Sequence, residues 1–238
     1  MSMSVKECIA IIPARGGSKR IPKKNIKDFL GKPIIAYSIE AALEAGVFDE
    51  VMVSTDSEEI AEVARMYGAN VPFMRNLDLA DDMTTSDDVL LDVLKRYEEQ
   101  GKSFKYMACI YATAPFVTAD ALRNAMKVMK EHEGMTQLIP MAPFSYPPQR
   151  CHVIKDNGEA VFKYPEYITT RSQDLEQMYH DIGQYYIYDV DRFVEAKGLV
   201  YEGIVPLIVD EFTAQDIDTE QDWKIAEMKY TFLNSKSM

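Results

Sequence analysis

Six cations and no acid lie between Arg15 and Lys27 in the stretch IIPARGGSKRIPKKNIKDF. They are Arg15, Lys19, Arg20, Lys23, Lys24 and Lys27, in a chain whose 26 basic and 38 acidic residues give a formal charge of −12. A solvated charged loop is the plain reading of such a run. The sharper reading is a site for a polyanion, held by a local field opposite in sign to the rest of the surface. Gly16 and Gly17 suit the second reading, because glycine can adopt positive φ and bring backbone N–H groups close to a ligand. Arg15 can grip two phosphate oxygens at once, and lysines act as point charges. The loop fits neither G-x-x-x-x-G-K-[ST] nor G-x-G-x-x-G. Pro22 also prevents a helix from starting directly after the glycines.

A second constellation lies near the other end. QDIDTEQDW places Asp216 and Asp218 two residues apart. In an extended segment such side chains point the same way, and two carboxylates can hold a hard cation through oxygen. The competing reading makes Asp218 the N-cap of the last helix, with Thr219 and Glu220 in its first turn. A third polar stretch, RNLDLADDMTTSDD, leads into a helix that Thr85 or Ser86 can cap.

The elements that must position these residues alternate. CIAIIP reads as a buried strand, KPIIAYSIEAALEAG as a helix stopping at Gly46, and EVMVST as a strand. Asp56 and Glu59 can form a capping box for SEEIAEVARMYG. NVPFM is a candidate short strand, VLLDVLKRYEEQG a helix and YMACIYA a strand; TAPFVTADALRNAMKVMKEHEG is loop and helix, and QLIPMA another strand. This predicts an α/β fold with a doubly wound, mostly parallel sheet covered on both faces. Ligands of such sheets sit at the carboxyl ends of the strands, where residues 14–25, 75–86 and 111–118 fall. That placement tips the basic loop towards phosphate. The rhythm breaks at Pro143. Residues 143–182, with clustered prolines and a hairpin-like KDNGEAV, form an insertion between 1–142 and 183–238.

With 47% hydrophobic and 27% charged residues, the composition is that of a soluble globular protein. The acidic balance argues against nucleic-acid and anionic-membrane binding. CIAIIP is too short to span a bilayer or to form a signal-peptide core. Cys8, Cys109 and Cys151, with His132, His152 and His180, show no zinc spacing, and a cytoplasmic protein with reduced thiols is expected.

PARGGSKRIPKKN resembles the signature loop of the acylneuraminate cytidylyltransferase family, enzymes that activate nine-carbon acidic sugars. The likeness continues in order through STDSEEIAEVA, IYATAPF, TRSQDL, YHDIGQYY and QDIDTEQDW, nearly the whole chain. It implies a Rossmann-like nucleotidyltransferase that joins CMP from CTP to the anomeric hydroxyl of the sugar and releases pyrophosphate. It implies that Arg15, Gly16, Gly17, Ser18, Lys19, Lys23 and Asn25 wrap the triphosphate, with Lys23 nearest the reacting phosphorus. Arg20 and Lys27 read better as plain loop residues. Asp216 and Asp218 become ligands of Mg²⁺, Arg75 a reader of cytosine, and Thr84 and Ser86 neighbours of base and ribose. Asn76 stands where many relatives have proline. Tyr111 and Ala112 depart from the Gln-Pro-Thr-Ser-Pro of acylneuraminate relatives and favour a different nine-carbon acid, pseudaminic acid first. Tyr111, Thr113, Gln184, Tyr185 and Tyr186, with Arg150 and Arg171 of the insertion, are the implied sugar contacts, alternate ones of 184–186 facing the core if they form a strand. The likeness further implies a homodimer in which the insertion packs on a second subunit and carries an arginine into its site. An acylneuraminic acid, 3-deoxy-manno-octulosonic acid, or a non-catalytic nucleotide-sensing dimer are the alternatives.

Overall fold

The computed structural model of the protein describes residues 4–80 and 83–235. The chain begins with β1 (Ser4–Pro13), the short pair β2 (Asp28–Phe29) and β3 (Lys32–Pro33), and α1 (Ile34–Ala45). It continues through β4 (Glu50–Ser54), α2 (Glu58–Met66), α3 (Ser86–Glu99), β5 (Lys102–Ile110), α4 (Ala119–Glu131) and β6 (Gln137–Pro143). Then come the hairpin of β7 (His152–Ile154) and β8 (Ala160–Phe162), and the strands β9 (Tyr179–Asp181) and β10 (Tyr185–Asp189). The last elements are α5 (Val190–Glu195), β11 (Ile204–Ile208) and α6 (Glu220–Ser235).

The main sheet runs β11-β6-β10-β5-β1-β4, with β9 added on β6. β1 pairs in parallel with β4 and β5, and β6 pairs in parallel with β11. β10 is antiparallel to both β5 and β6, and β9 is antiparallel to β6. The sheet is therefore mostly parallel, with one reversed strand between its two parallel blocks.

An unbroken apolar run becomes β1 because both its faces are covered. Cys8, Ala10 and Ile12 pack with Ile35 and Ile39 of α1 and Leu122 and Met126 of α4. Ile9 and Ile11 face the other way, onto Leu90, Val93 and Tyr97 of α3 and Phe193 of α5. A third cluster gathers Ile21, Phe29, Tyr37, Phe116, Ile217 and Trp223. Phe29 meets Tyr37, Trp223 and Tyr230 edge-on at 5.5, 5.5 and 5.6 Å. This cluster ties the segment after the basic loop to α6, so the two ends of the sequence are packed together.

Two local expectations give way. NVPFM forms no strand: Asn70 makes one bridge to Met52, and Pro72 has no N–H with which to continue a ladder. The cap of α2 is Ser57, whose hydroxyl accepts from Ile60 N, rather than Asp56. β9 returns to the sheet, so the part of the insertion that leaves it is 144–178. That part carries the β7–β8 hairpin, turned at Gly158 with φ 84°. No helix among the described residues is long and apolar enough to cross a membrane.

Candidate active site

A cavity of about 350 Å³ opens beyond the carboxyl ends of β1 and β5. Arg15, Lys19, Arg20, Lys24 and Arg75 line it against two carboxylates, Asp216 and Asp218, among the described residues. In an acidic protein this is a local positive field suited to a triphosphate. Ser18, Asn25, Thr84, Ser86, Tyr111 and Thr113 complete the wall.

The six cations of the loop divide. Arg20 meets Asp218 at 3.0 Å, and Lys24 Nζ donates to Ile217 O at 2.8 Å and to Asp218 at 3.3 Å. Lys23 turns away and donates to Glu59 at 2.6 Å. Lys27 reaches Glu220 at 2.8 Å and lies 4.5 Å from the Trp223 ring centroid. Arg20, read from the sequence as a plain loop residue, is thus a wall of the cavity, whereas Lys23 is not. The cause is local: Lys23 takes the left-handed conformation, φ 52° and ψ 33°, at the start of a short 3-10 turn that swings Lys24 inward. Two adjacent lysines carry no sequence signal to separate them.

The glycines act differently from the expectation. Neither Gly16 nor Gly17 is among the positive-φ residues. Gly16 is small because α2 begins against it, with a Cβ there lying 3.1 Å from the Ser57 Cβ. Its N–H donates to Asp56 Oδ1 at 2.8 Å, so the turn between β4 and α2 holds the loop through Asp56. Asn25, buried, donates to Arg15 O at 2.9 Å and closes the loop across its mouth.

Asp218 does not cap the last helix. Thr219 does so: its hydroxyl accepts from Asp222 N at 3.2 Å, and its N–H donates to Asp222 Oδ2 at 2.8 Å. The arrangement is a capping box built one residue later than expected, and it leaves the Asp218 carboxylate for the cavity. Asp216 lies beside Gly183, close to the start of β10. Burial, and then the nearby Asp218, raise the Asp216 carboxyl above its ordinary range. A pair of hard oxygen donors under mutual repulsion is a fitting seat for a divalent cation whose remaining ligands come from phosphate and water. Among the described residues no cluster of three or more His, Cys, Asp or Glu offers a complete protein cage.

Arg75 is buried and fixed on β4, donating from Nε to Ser54 Oγ at 3.2 Å and from Nη2 to Ser54 O at 2.6 Å. Burial lowers its pKa from the ordinary arginine value. Thr85, not Ser86, caps α3 in a capping box with Asp88. Ser86 is left to meet Tyr111 Oη at 3.3 Å. The Tyr111 backbone is pinned on both sides, its N–H donating to Gln184 O and its C=O accepting from Ser38 Oγ, each at 2.8 Å. Burial pushes its phenol up to about 12.

Ser86 and Tyr111 also line a second cavity, of about 390 Å³. Its wall includes Asp87, Cys109, Asp181, Tyr186, Tyr188 and Val200, with no lysine or arginine among the described residues. Gln184 and Tyr185 face neither cavity. Gln184 is buried and donates to Thr213 O, and Tyr185 joins the core on the opposite face of the sheet. Strand alternation puts Tyr186, the third residue expected there, on the cavity side, together with Tyr188, which the sequence reading did not single out. The i, i+2 pattern in QYYIYD could have separated these two sets, but not said which faced the ligand. Arg150 and Arg171 stand on the insertion, bonded to Thr170 O and to Asp174, and line neither cavity.

Comparison with known proteins fits this geometry. The family described as Cytidylyltransferase matches residues 9–226. A pseudaminic acid cytidylyltransferase of Campylobacter jejuni is 40% identical over 222 residues, 93% of this chain and 95% of that protein. A CMP-N,N'-diacetyllegionaminic acid synthase of Legionella pneumophila is 35% identical over 237 residues, 97% of this chain and 98% of that one. In structure, the chain is similar to a CMP:2-keto-3-deoxy-manno-octonic acid synthetase complexed with CTP. The TM-score is 0.69 at 18% identity, covering 98% of this chain and 100% of the other, which speaks for the fold. The chain belongs to the cytidylyltransferase family.

Proposed function

We propose that this nucleotidyltransferase moves CMP from CTP to the anomeric hydroxyl of a nine-carbon acidic sugar, pseudaminic acid first, and releases pyrophosphate. The observation that carries the reading is the meeting of Arg15, Lys19 and Lys24 from the head of the sequence with Asp216 and Asp218 from its tail in one cavity. The anomeric oxygen attacks the α-phosphorus, the bond from that phosphorus to the β-phosphate oxygen breaks, and pyrophosphate leaves with the electron pair. The hydroxyl proton departs to water or to a phosphate oxygen. Catalysis is then positioning and charge stabilisation, with no covalent enzyme intermediate.

In this reading Arg15, Ser18, Lys19 and Asn25 hold the phosphates and Lys24 stands nearest the reacting phosphorus. Arg75, Thr84 and Ser86 hold cytosine and ribose. Asp216 and Asp218 would hold Mg²⁺, which when bound neutralises charge on the phosphoryl oxygens. The sugar reaches from Tyr111, which borders both cavities, into the second, whose carboxylates and phenols suit its hydroxyl and N–H groups, while its own carboxylate stays towards the cations of the first, where Thr113 lies. A homodimer supplies the rest: the insertion exposes Phe144, Tyr146, Ile154 and Ile168 for a second copy and carries Arg150 and Arg171 towards that copy's site. Free Cys8, Cys109 and Cys151 suit the reducing cytoplasm.

The test is pyrophosphate release from CTP and Mg²⁺ across a panel of acidic sugars. Release is expected with pseudaminic acid above acylneuraminic acids and 3-deoxy-manno-octulosonic acid. Tight CTP binding without release on any sugar would overturn the reading in favour of a nucleotide sensor.

A further inference from the structure

The second cavity has a floor that the transfer reaction itself does not need. Along β10, Tyr186 and Tyr188 are two residues apart and share one face, their ring centroids 6.3 Å from each other. Tyr186 in turn lies 5.8 Å from Tyr111, which borders both cavities. The three phenols form a ladder leading away from the phosphate site. At its far end Gln137, the first residue of β6, donates from Nε2 to Tyr188 Oη at 3.0 Å.

Gln137 and Tyr188 are both buried, 7% and 4% exposed, yet both line the cavity. The Gln137 amide N–H is directed at the phenol oxygen, so the phenol proton is left for another acceptor, and its hydrogen bond to Gln137 is its only one among the described residues. A buried donor of this kind is costly unless something accepts from it. Burial first, then Cys109 and Asp87, raise the Tyr188 pKa far above the ordinary phenol range, so the group remains a donor. Around it the wall is apolar at Cys109, Leu199 and Val200 and acidic at Asp87.

This set has the signature of one chemical group. A carbonyl accepts from Tyr188, an amide N–H finds a carboxylate, and a short alkyl end lies against Cys109, Leu199 and Val200. A polyhydroxyl chain would leave the apolar part of the wall unused. We infer that the Gln137–Tyr188 pair is a specificity-determining element that reads the carbonyl of an acylamino substituent on the acidic sugar. The inference rests on the proposed transfer to such a sugar and adds which part of it is inspected, and where.

The test compares a di-N-acetylated nine-carbon acid with the same acid carrying hydroxyl or free amine in place of an acetamido group. Tyr188→Phe removes only the hydroxyl and keeps the ring on Phe193, 4.7 Å away. It is expected to lower kcat/KM for the acetylated acid about tenfold or more, mainly through KM, as a lost buried hydrogen bond does. The substituted acid should change less than about twofold and KM for CTP should not move, while Tm of the free protein falls, because the buried Gln137 N–H loses its acceptor. Gln137→Met, which leaves Tyr188 in place, should give a smaller loss in the same direction and serves if the first variant does not fold. Equal losses on both acids, or none on either, overturn the inference while leaving the transfer reaction standing. Wild-type protein that turns over no acidic sugar overturns both.

Discussion

At the scale of single residues, the site is decided by which charges can be brought to the phosphates. Lys24 is about one-fifth exposed and bonded within the cavity, whereas Lys23 is two-thirds exposed in a surface pair with Glu59. An exposed pair contributes roughly 0–1 kcal/mol, but a preorganised cation at the reacting phosphate is worth about 10²–10³ in rate. Lys24→Ala should therefore reduce turnover by about a hundredfold and Lys23→Ala by less than about threefold, in steady-state pyrophosphate release; the reverse ranking would exchange their roles. Asp216 adds a linkage test. Its folded pKa lies above its unfolded value, so between the two the folded state binds more protons and stability falls as pH rises. Asp216→Asn removes that penalty. Without ligand, the variant should melt at or above the wild-type temperature near neutral pH, the gap closing as pH falls through the carboxylate range, while turnover drops by orders of magnitude. A variant that melts lower at neutral pH would show that the carboxylate supports the fold. The types of residue needed were legible in the sequence, and the choice between neighbours was not. A left-handed Lys23 and the strand alternation at Gln184–Tyr188 decide which side chains turn inward.

At the scale of elements, caps decide which polar side chains remain for chemistry. Thr85 and Thr219 each close a capping box at a helix start beside the cavity, and each releases its neighbour, Ser86 or Asp218. The motif S/T-x-x-D was present at both positions, yet a helix start defined only to within a residue or two cannot say whether Asp218 or Thr219 is the cap. Thr219→Ala should cost about 1 kcal/mol of stability, read as a lower Tm or denaturant midpoint. It should also raise the metal concentration needed for half-maximal activity, because the start of α6 orients Asp218. A stability loss with unchanged metal dependence would separate the cap from the site. Strands were legible where they are continuous apolar runs: β1, β4 and β5 each overlap the run read as a strand, β1 and β5 beginning earlier, at Ser4 and Lys102. The direction of β10 was not, because hydrophobic content does not record whether a strand runs with or against its neighbours. That reversal matters, since it places Tyr186 beside Cys109 and so builds the second cavity's wall.

At the scale of the whole molecule, residues 144–178 leave apolar side chains open to solvent. Tyr146 is 85% and Ile154 69% exposed, and Phe144, Phe162, Ile168 and Met178 are also open to solvent. Apolar side chains gathered on one segment are what an interaction surface offers, and a second copy of this chain is the partner proposed above. Cyclic symmetry makes that proposal testable through the site itself. If one subunit's insertion completes the other's cavity, a chain lacking the insertion arginines, Arg150→Ala with Arg171→Ala, and a chain lacking the acid, Asp216→Asn, are each inactive as homodimers. Mixed after subunit exchange, half of the dimers are hybrids, and each hybrid holds one complete site in two. Activity should then return to about a quarter of the wild-type level at equal mixing. Ile154→Asp in both chains should abolish the recovery by preventing assembly, with sedimentation reporting monomers. Full activity of the arginine double variant alone would mean that the insertion serves only to assemble the protein. No recovery from a demonstrated hybrid would mean that each site is completed within its own chain.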